Sequence, residues 1–196
     1  MNYRSIAERS DFLLKEKGSK FIAIAFPCSS QKSFKEQMIS IQVEYSKATH
    51  YCFAYRFFGP PISTRANDDG EPSNSAGSPI LGQIQSFELL DVAVVVIRYY
   101  GGTKLGVSGL IKAYKGSAKF ALENARIIDK EPTSNYHITG DYLLVSQLLA
   151  FLKKKKIKII AQNMTQLAEI EIEVPISKVE IILSKVAEFK IQVKRV

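Results

Sequence analysis

The chain has 196 residues, 46% hydrophobic and 23% charged, with a net charge of +8 and a pI near 9.4. That is a globular composition with room for one large domain or two small ones at roughly 150 residues each. Its longest apolar run, residues 92–97, falls far short of the about 20 residues that span a bilayer, and residues 1–8 have no apolar core of the signal-peptide kind. A cytoplasmic protein is therefore expected, without membrane association.

Two cysteines, Cys28 and Cys52, stand outside any C-x-x-C pair and cannot build a disulfide scaffold. Two thiols suit a reducing compartment. With only His50 and His137 beside them, neither a zinc site nor another metal or cofactor is expected. The positive charge favours a polyanionic partner, above all RNA or the ribosome. Lysines that merely keep a protein dispersed would give the same figure.

Residues 21–26 read as a strand, Phe34, Met38, Ile41 and Tyr45 mark an amphipathic helix, and residues 51–58 read as a second strand. Residues 59–79 hold four of the seven prolines and predict a long loop of functional type. Inside it, Asp68, Asp69 and Glu71 place three carboxylates in four positions. Such oxygens suit a divalent cation or acid–base work, but the spacing is not that of a calcium loop. Asx turns and ion pairs that order the loop are the simpler reading. His50 with Ser73, Ser75 or Asp69 has the residue types of a hydrolase constellation, yet no nucleophile elbow accompanies them.

Residues 92–98 predict a buried strand that enters a glycine-rich turn, with a helix starting near Leu105 or Gly106. A strand, a turn carrying Gly101, Gly102 and Thr103, and a helix N-terminus together present free backbone N–H groups and a positive dipole end, which suits an anion. The spacing fits neither a Walker loop nor a dinucleotide fingerprint, and glycine also serves tight turns and close helix packing. Lys112, Lys115 and Lys119 fall within about 60° of one another on a helical wheel, opposite Leu110, Tyr114 and Ala121. With Arg98 and Lys104 they predict a phosphate-binding patch.

Residues 131–135, with Pro132, mark a domain boundary; ten of the eleven glycines precede it, so the tight turns concentrate in the first part. Beyond it, Tyr136 to Gly140 predicts a strand, and Asp141 caps a helix carrying Leu144, Leu148 and Phe151 or Leu152. Residues 157–161 predict a strand, and residues 169–174 alternate glutamate with apolar residues as a half-buried strand must. Ser177 and Glu180 have capping-box spacing before an apolar stripe of Val179, Ile182, Leu183 and Val186. Residues 190–196 close as a strand, giving the β-α-β-β-α-β order of a ferredoxin-like domain. The run Lys153-Lys154-Lys155-Lys156 complements the negative end of a helix dipole.

Three segments go further. Residues 48–55, residues 68–81 (Asp68-Asp69-Gly70-Glu71-Pro72 onward) and residues 96–106 (Arg98-Tyr99-Tyr100-Gly101-Gly102-Thr103-Lys104-Leu105-Gly106), followed by Gly109-Leu110 and Ala113-Tyr114, resemble the signatures of the IMPACT/YigZ family in order and spacing. The resemblance implies an α+β protein. Residues 1–131 would form an IMPACT-type domain of ribosomal-protein-like α/β fold, with a left-handed β-α-β crossover. Residues 135–196 would form a ferredoxin-like domain similar to the last domain of elongation factor G. It also implies a role in translation regulation through RNA, the ribosome or a protein partner, and a shared cleft or surface at His50, Asp68, Asp69, Glu71, Ser75, Arg98, Gly101, Gly102, Lys104 and Gly106. An alternative is an enzyme or binder for a small phosphorylated ligand, metal-assisted through the three carboxylates. Two positions depart from the family pattern: Asn74-Ser75 stands where Gly-Thr is usual, and Ser108 replaces a glycine.

Overall fold

A computed structural model describes residues 2–196, which divide into two compact units, Tyr3–Lys130 and Glu131–Val196, with Asn2 grouped with the latter. The first contains β1 (Tyr3–Ile6), β2 (Ser10–Glu16), β3 (Ser19–Pro27), α1 (Gln31–Glu44), β4 (His50–Phe57), β5 (Ser63–Asn67), α2 (Gly77–Ser86), β6 (Val92–Tyr99), α3 (Gly106–Glu123) and β7 (Ile127–Lys130). Its five-stranded sheet runs β2-β3-β6-β4-β5 with every neighbouring pair antiparallel. β3 and β4 therefore run parallel to each other on either side of β6, joined by the crossover through α1. β1 and β7 form a separate antiparallel ribbon.

The strand β6 explains why its sequence does not alternate. Val92, Val94 and Val96 pack with Phe21, Ala23 and Ala54 against α2 and α3, while Ala93, Val95 and Ile97 pack with Phe34 and Ile41 of α1. A strand covered on both faces has no polar side to show. The loop expected over residues 59–79 is not continuous: β5 pairs with β4 inside it. Ser-Thr-Arg-Ala-Asn lacks a hydrophobic period because this outermost strand is mostly exposed, so pattern reading passed over it.

The second unit contains β8 (Thr133–Asp141), α4 (Tyr142–Lys154), β9 (Lys158–Asn163), β10 (Leu167–Pro175), α5 (Val179–Glu188) and β11 (Gln192–Arg195). Its antiparallel sheet has the order β11-β8-β10-β9, the ferredoxin-like arrangement, and the whole chain is α+β. In β10, Ala168, Ile170, Ile172 and Val174 are buried, and Glu169, Glu171 and Glu173 lie on the opposite face. Asp141 caps α4 by accepting the Leu143 N–H at 2.8 Å. The expected capping box does not form. A 3-10 turn over Ile176–Lys178 intervenes and the Ser177 N–H donates to Glu131, so α5 starts at Val179 without a side-chain cap. Among the described residues no helix is long and apolar enough to cross a membrane.

Candidate binding cleft

The end of β6 delivers Arg98 to the interior, where its Nη1 donates to Glu71 Oε1 at 2.6 Å, with the two side chains 6% and 4% exposed. The Tyr114 hydroxyl of α3 donates to the same oxygen at 2.8 Å. Ser19 Oγ accepts from Arg98 Nη2 at 3.4 Å and from the Gly101 N–H at 3.1 Å. The guanidinium lies between the rings of Phe21 and Tyr100, 5.4 and 5.3 Å from their centroids, and its Nε has no partner. Two desolvated charges are tolerated there because each finds its counter-ion and further hydrogen bonds. Burial, then Cys52 and Glu71, push the Tyr114 phenol upward, so it stays a donor. Burial likewise pushes the Cys52 thiol up to about 12, and it donates to the Asp68 carbonyl.

The acidic segment is an ordering device. Asp68 accepts the backbone N–H groups of Asn74, Ala76 and Gly77 at 2.8–2.9 Å, supplying α2 with the cap that Ala76 cannot. The Asp69 carboxylate accepts the Tyr51 N–H at 2.6 Å. Asp69 and Asn74 have φ of 43° and 61°, and asparagine is among the non-glycine residues that best accept that region; this accounts for Asn74 where glycine is usual. Ser108 lies exposed in the first turn of α3, where an ordinary helical backbone asks for no glycine. Gly77 does need its hydrogen, since a Cβ there would come within 2.5 Å of the Asn67 nitrogen.

The three carboxylates thus point to three different tasks. The metal reading of Asp68, Asp69 and Glu71 is corrected accordingly: no group of three ligand-type side chains converges among the described residues. The hydrolase constellation is also absent. His50 meets the Asp69 carbonyl rather than its carboxylate, and Ser75 is fully buried with its hydroxyl donating to the Pro72 carbonyl.

Above the Arg98–Glu71 pair opens a cavity of about 480 Å³, lined by Thr49, His50, Glu71, Arg98 and Lys104 and by the apolar surfaces of Pro72, Tyr100, Leu105, Val107 and Leu110. His50 Nδ1 is 2.7 Å from the Asp69 carbonyl oxygen. A carbonyl only accepts, so Nδ1 carries a hydrogen, and Nε2 lies 3.9 Å from Glu71 Oε1. At the rim, α3 starts with no side-chain cap, which leaves the first-turn N–H groups without a side-chain partner. The approach to it is fixed by Gly101, whose absent Cβ would fall 1.9 Å from the Gly18 carbonyl carbon, and by Gly102 and Gly106 at φ of 86° and 72°.

The residues expected to form one basic patch divide. Lys104 reaches the cleft, and Thr103 is exposed beside it. Lys112 lines a separate hollow with Leu14, Glu16 and Lys17. Lys115 and Lys119 are exposed on α3, with Lys119 3.5 Å from Glu123. Arg98 is not a free phosphate ligand, because its charge is committed to Glu71. Among the expected cleft residues, His50, Glu71, Arg98, Lys104 and Gly106 meet; Asp68, Asp69 and Ser75 stand behind them. Sequence reading missed Tyr100 as a wall, Ser19 as the shared acceptor and Tyr114 as a polar residue. Tyr114 sits on the apolar face of α3, and helical periodicity counts its ring and not its hydroxyl.

The family model for the Impact N-terminal domain matches residues 17–122, which contain every lining residue of the cleft. The chain is 31% identical over 175 residues to the IMPACT family member YigZ of Escherichia coli (strain K12), covering 88% of this chain and 86% of that protein. It is 32% identical over 147 residues to the IMPACT family member YvyE of Bacillus subtilis (strain 168), covering 75% and 68%. A crystal structure described as that of a hypothetical protein superposes with a TM-score of 0.78 at 27% identity, covering 100% of this chain and 97% of the other.

Proposed function

The chain belongs to the IMPACT family, and from that premise we propose that it is a cytoplasmic RNA- or ribosome-binding protein acting in translation regulation. The observation that carries this reading is the exposed basic face of α3. Lys112, Lys115 and Lys119 all reach solvent, and the helix starts, uncapped, at the cleft beside Lys104. Such a face neutralises successive phosphates, and counterion release then supplies affinity without sequence preference. In the second unit the row Glu169, Glu171 and Glu173 disfavours a polyanion on that face of the sheet. The lysines at the end of α4 are the better phosphate contacts there.

Fluorescence anisotropy with single-stranded RNA, duplex RNA and purified ribosomes, from low to physiological salt, tests the reading. Exchanging Lys115→Glu together with Lys119→Glu should weaken binding across sequences and reduce the salt slope by about 2. Binding unchanged by the exchange would remove this face from the interface. Binding to no target at physiological salt would reduce the +8 charge to a matter of solubility.

A further inference from the structure

The cleft holds features that phosphate contact alone does not use. Its floor is electrically neutral, since Arg98 and Glu71 cancel. Its walls are apolar apart from a few polar groups, and its volume of about 480 Å³ lies in the range of small-ligand sites. Tyr100 is 46% exposed, with its ring braced by the Arg98 guanidinium. A braced aromatic wall suits a flat ring that stacks on it. The positive character left at the rim is Lys104 and the α3 N-terminus, which suits one phosphate. Finally, the Asp69 carbonyl holds the His50 ring through Nδ1, which leaves Nε2 to a ligand; a hydroxyl, which both donates and accepts, can meet it there.

We propose that this cleft holds a single ribonucleotide unit, with its base on Tyr100, its phosphate at Lys104 and the start of α3, and a ribose hydroxyl hydrogen-bonded to His50 Nε2. The strand context rests on the RNA-binding reading above; the pocket itself does not. The 2′-hydroxyl is what separates RNA from DNA at such a site, so His50 is the residue that sets the preference for ribose. The same unit reaches the cleft as part of a strand or as a free mononucleotide.

Anisotropy with a 12-nucleotide single-stranded RNA and the DNA of the same sequence tests this on the full chain, alongside calorimetry with adenosine 5′-monophosphate and its 2′-deoxy analogue. The wild-type protein should prefer ribose by about five-fold, the value of one hydrogen bond. His50→Asn, whose amide reaches only the Nδ1 position, keeps a donor for the Asp69 carbonyl but puts nothing at the Nε2 position, and should erase the preference; His50→Gln, one methylene longer, puts an amide there and should retain it. Tyr100→Ala should weaken every flat-ringed ligand by about ten-fold. Thermal unfolding confirms that each variant is folded.

RNA binding that responds to the α3 lysines but not to Tyr100 or His50 overturns the pocket and leaves the RNA reading standing. Mononucleotide binding that responds to Tyr100 and His50, without RNA binding, sustains the pocket and overturns the strand context. Equal affinity for ribose and deoxyribose in the wild-type protein overturns the role of His50. Binding of neither ligand overturns both.

Discussion

Each unit of the chain contains an ion pair of the same 2.6 Å length, Arg98–Glu71 in the first and Lys158–Glu173 in the second. The first has side chains 6% and 4% exposed; the second has 72% and 26%. Equal geometry does not mean equal consequence. The buried pair has been taken out of water and is held by Tyr114 and Ser19, so removing one member strands the other. The exposed pair shares its charges with solvent and is screened by salt. The contrast extends to the whole of each unit. The first encloses polar groups under a sheet covered on both faces, and the second divides cleanly into one apolar and one polar face.

Four experiments press on that contrast. The largest effect should come from Glu71→Ala, which leaves Arg98 charged, buried and unpaired and should cost about 3–5 kcal/mol; Glu173→Ala should cost under about 1 kcal/mol. Urea denaturation of both variants measures the difference, and similar losses would dissolve the distinction. Next are the glycines. Gly101→Ala drives a Cβ to 1.9 Å from the Gly18 backbone, whereas Gly140→Ala meets only side-chain methyl and methylene groups, Ile191 at 3.0 Å and Val145 at 3.4 Å. Losses of about 2–3 kcal/mol and under about 1 kcal/mol are expected, since backbone yields less readily than a methyl group.

The caps come third. Asp68 serves three backbone N–H groups and Asp141 one, so Asp68→Ala should cost about 2 kcal/mol and Asp141→Ala about 1 kcal/mol. Melting curves that rank them in the reverse order would show that the loop, not the count of bonds, governs the loss. The smallest effect concerns alkaline pH. The folded Cys52 thiol is raised from 9.0 to about 12, so its contribution is fully present below pH 9 and is lost as pH rises through 12. The loss should reach about 1 kcal/mol by pH 10. Cys52→Ala should therefore show a shallower fall in stability between pH 8 and 10 than the wild type. The second unit contains no cysteine and supplies no such slope.

These contrasts also explain what could be read from the sequence. The second unit was legible almost throughout because its sheet has one polar face: Glu169, Glu171 and Glu173 alternate with Ile170, Ile172 and Val174, and Asp141 marks the start of α4. Its error, the capping box at Ser177, arose because Glu131 takes the N–H that would have defined the cap. In the first unit the core strand and α3 were legible, but β1, β2 and β5 were not, since short or exposed strands carry little period. The cleft was half legible. Family motifs named His50, Glu71, Arg98 and Lys104, but nothing in spacing says that Asp68 and Asp69 bond backbone while Glu71 bonds Arg98. That division depends on which way each side chain turns inside a loop shaped by left-handed residues.

The outermost strands have a further consequence. In the two larger sheets these are β2, β5, β9 and β11, and they carry Lys15, Arg65, Lys158, Lys194 and Arg195. Unpaired strand margins are templates on which another copy of a chain can add, and cations along them oppose that growth. Part of the +8 charge thus sits where it opposes adhesion between sheet margins. Acetylating the lysines should then bring on turbidity while far-ultraviolet dichroism still reports a folded chain.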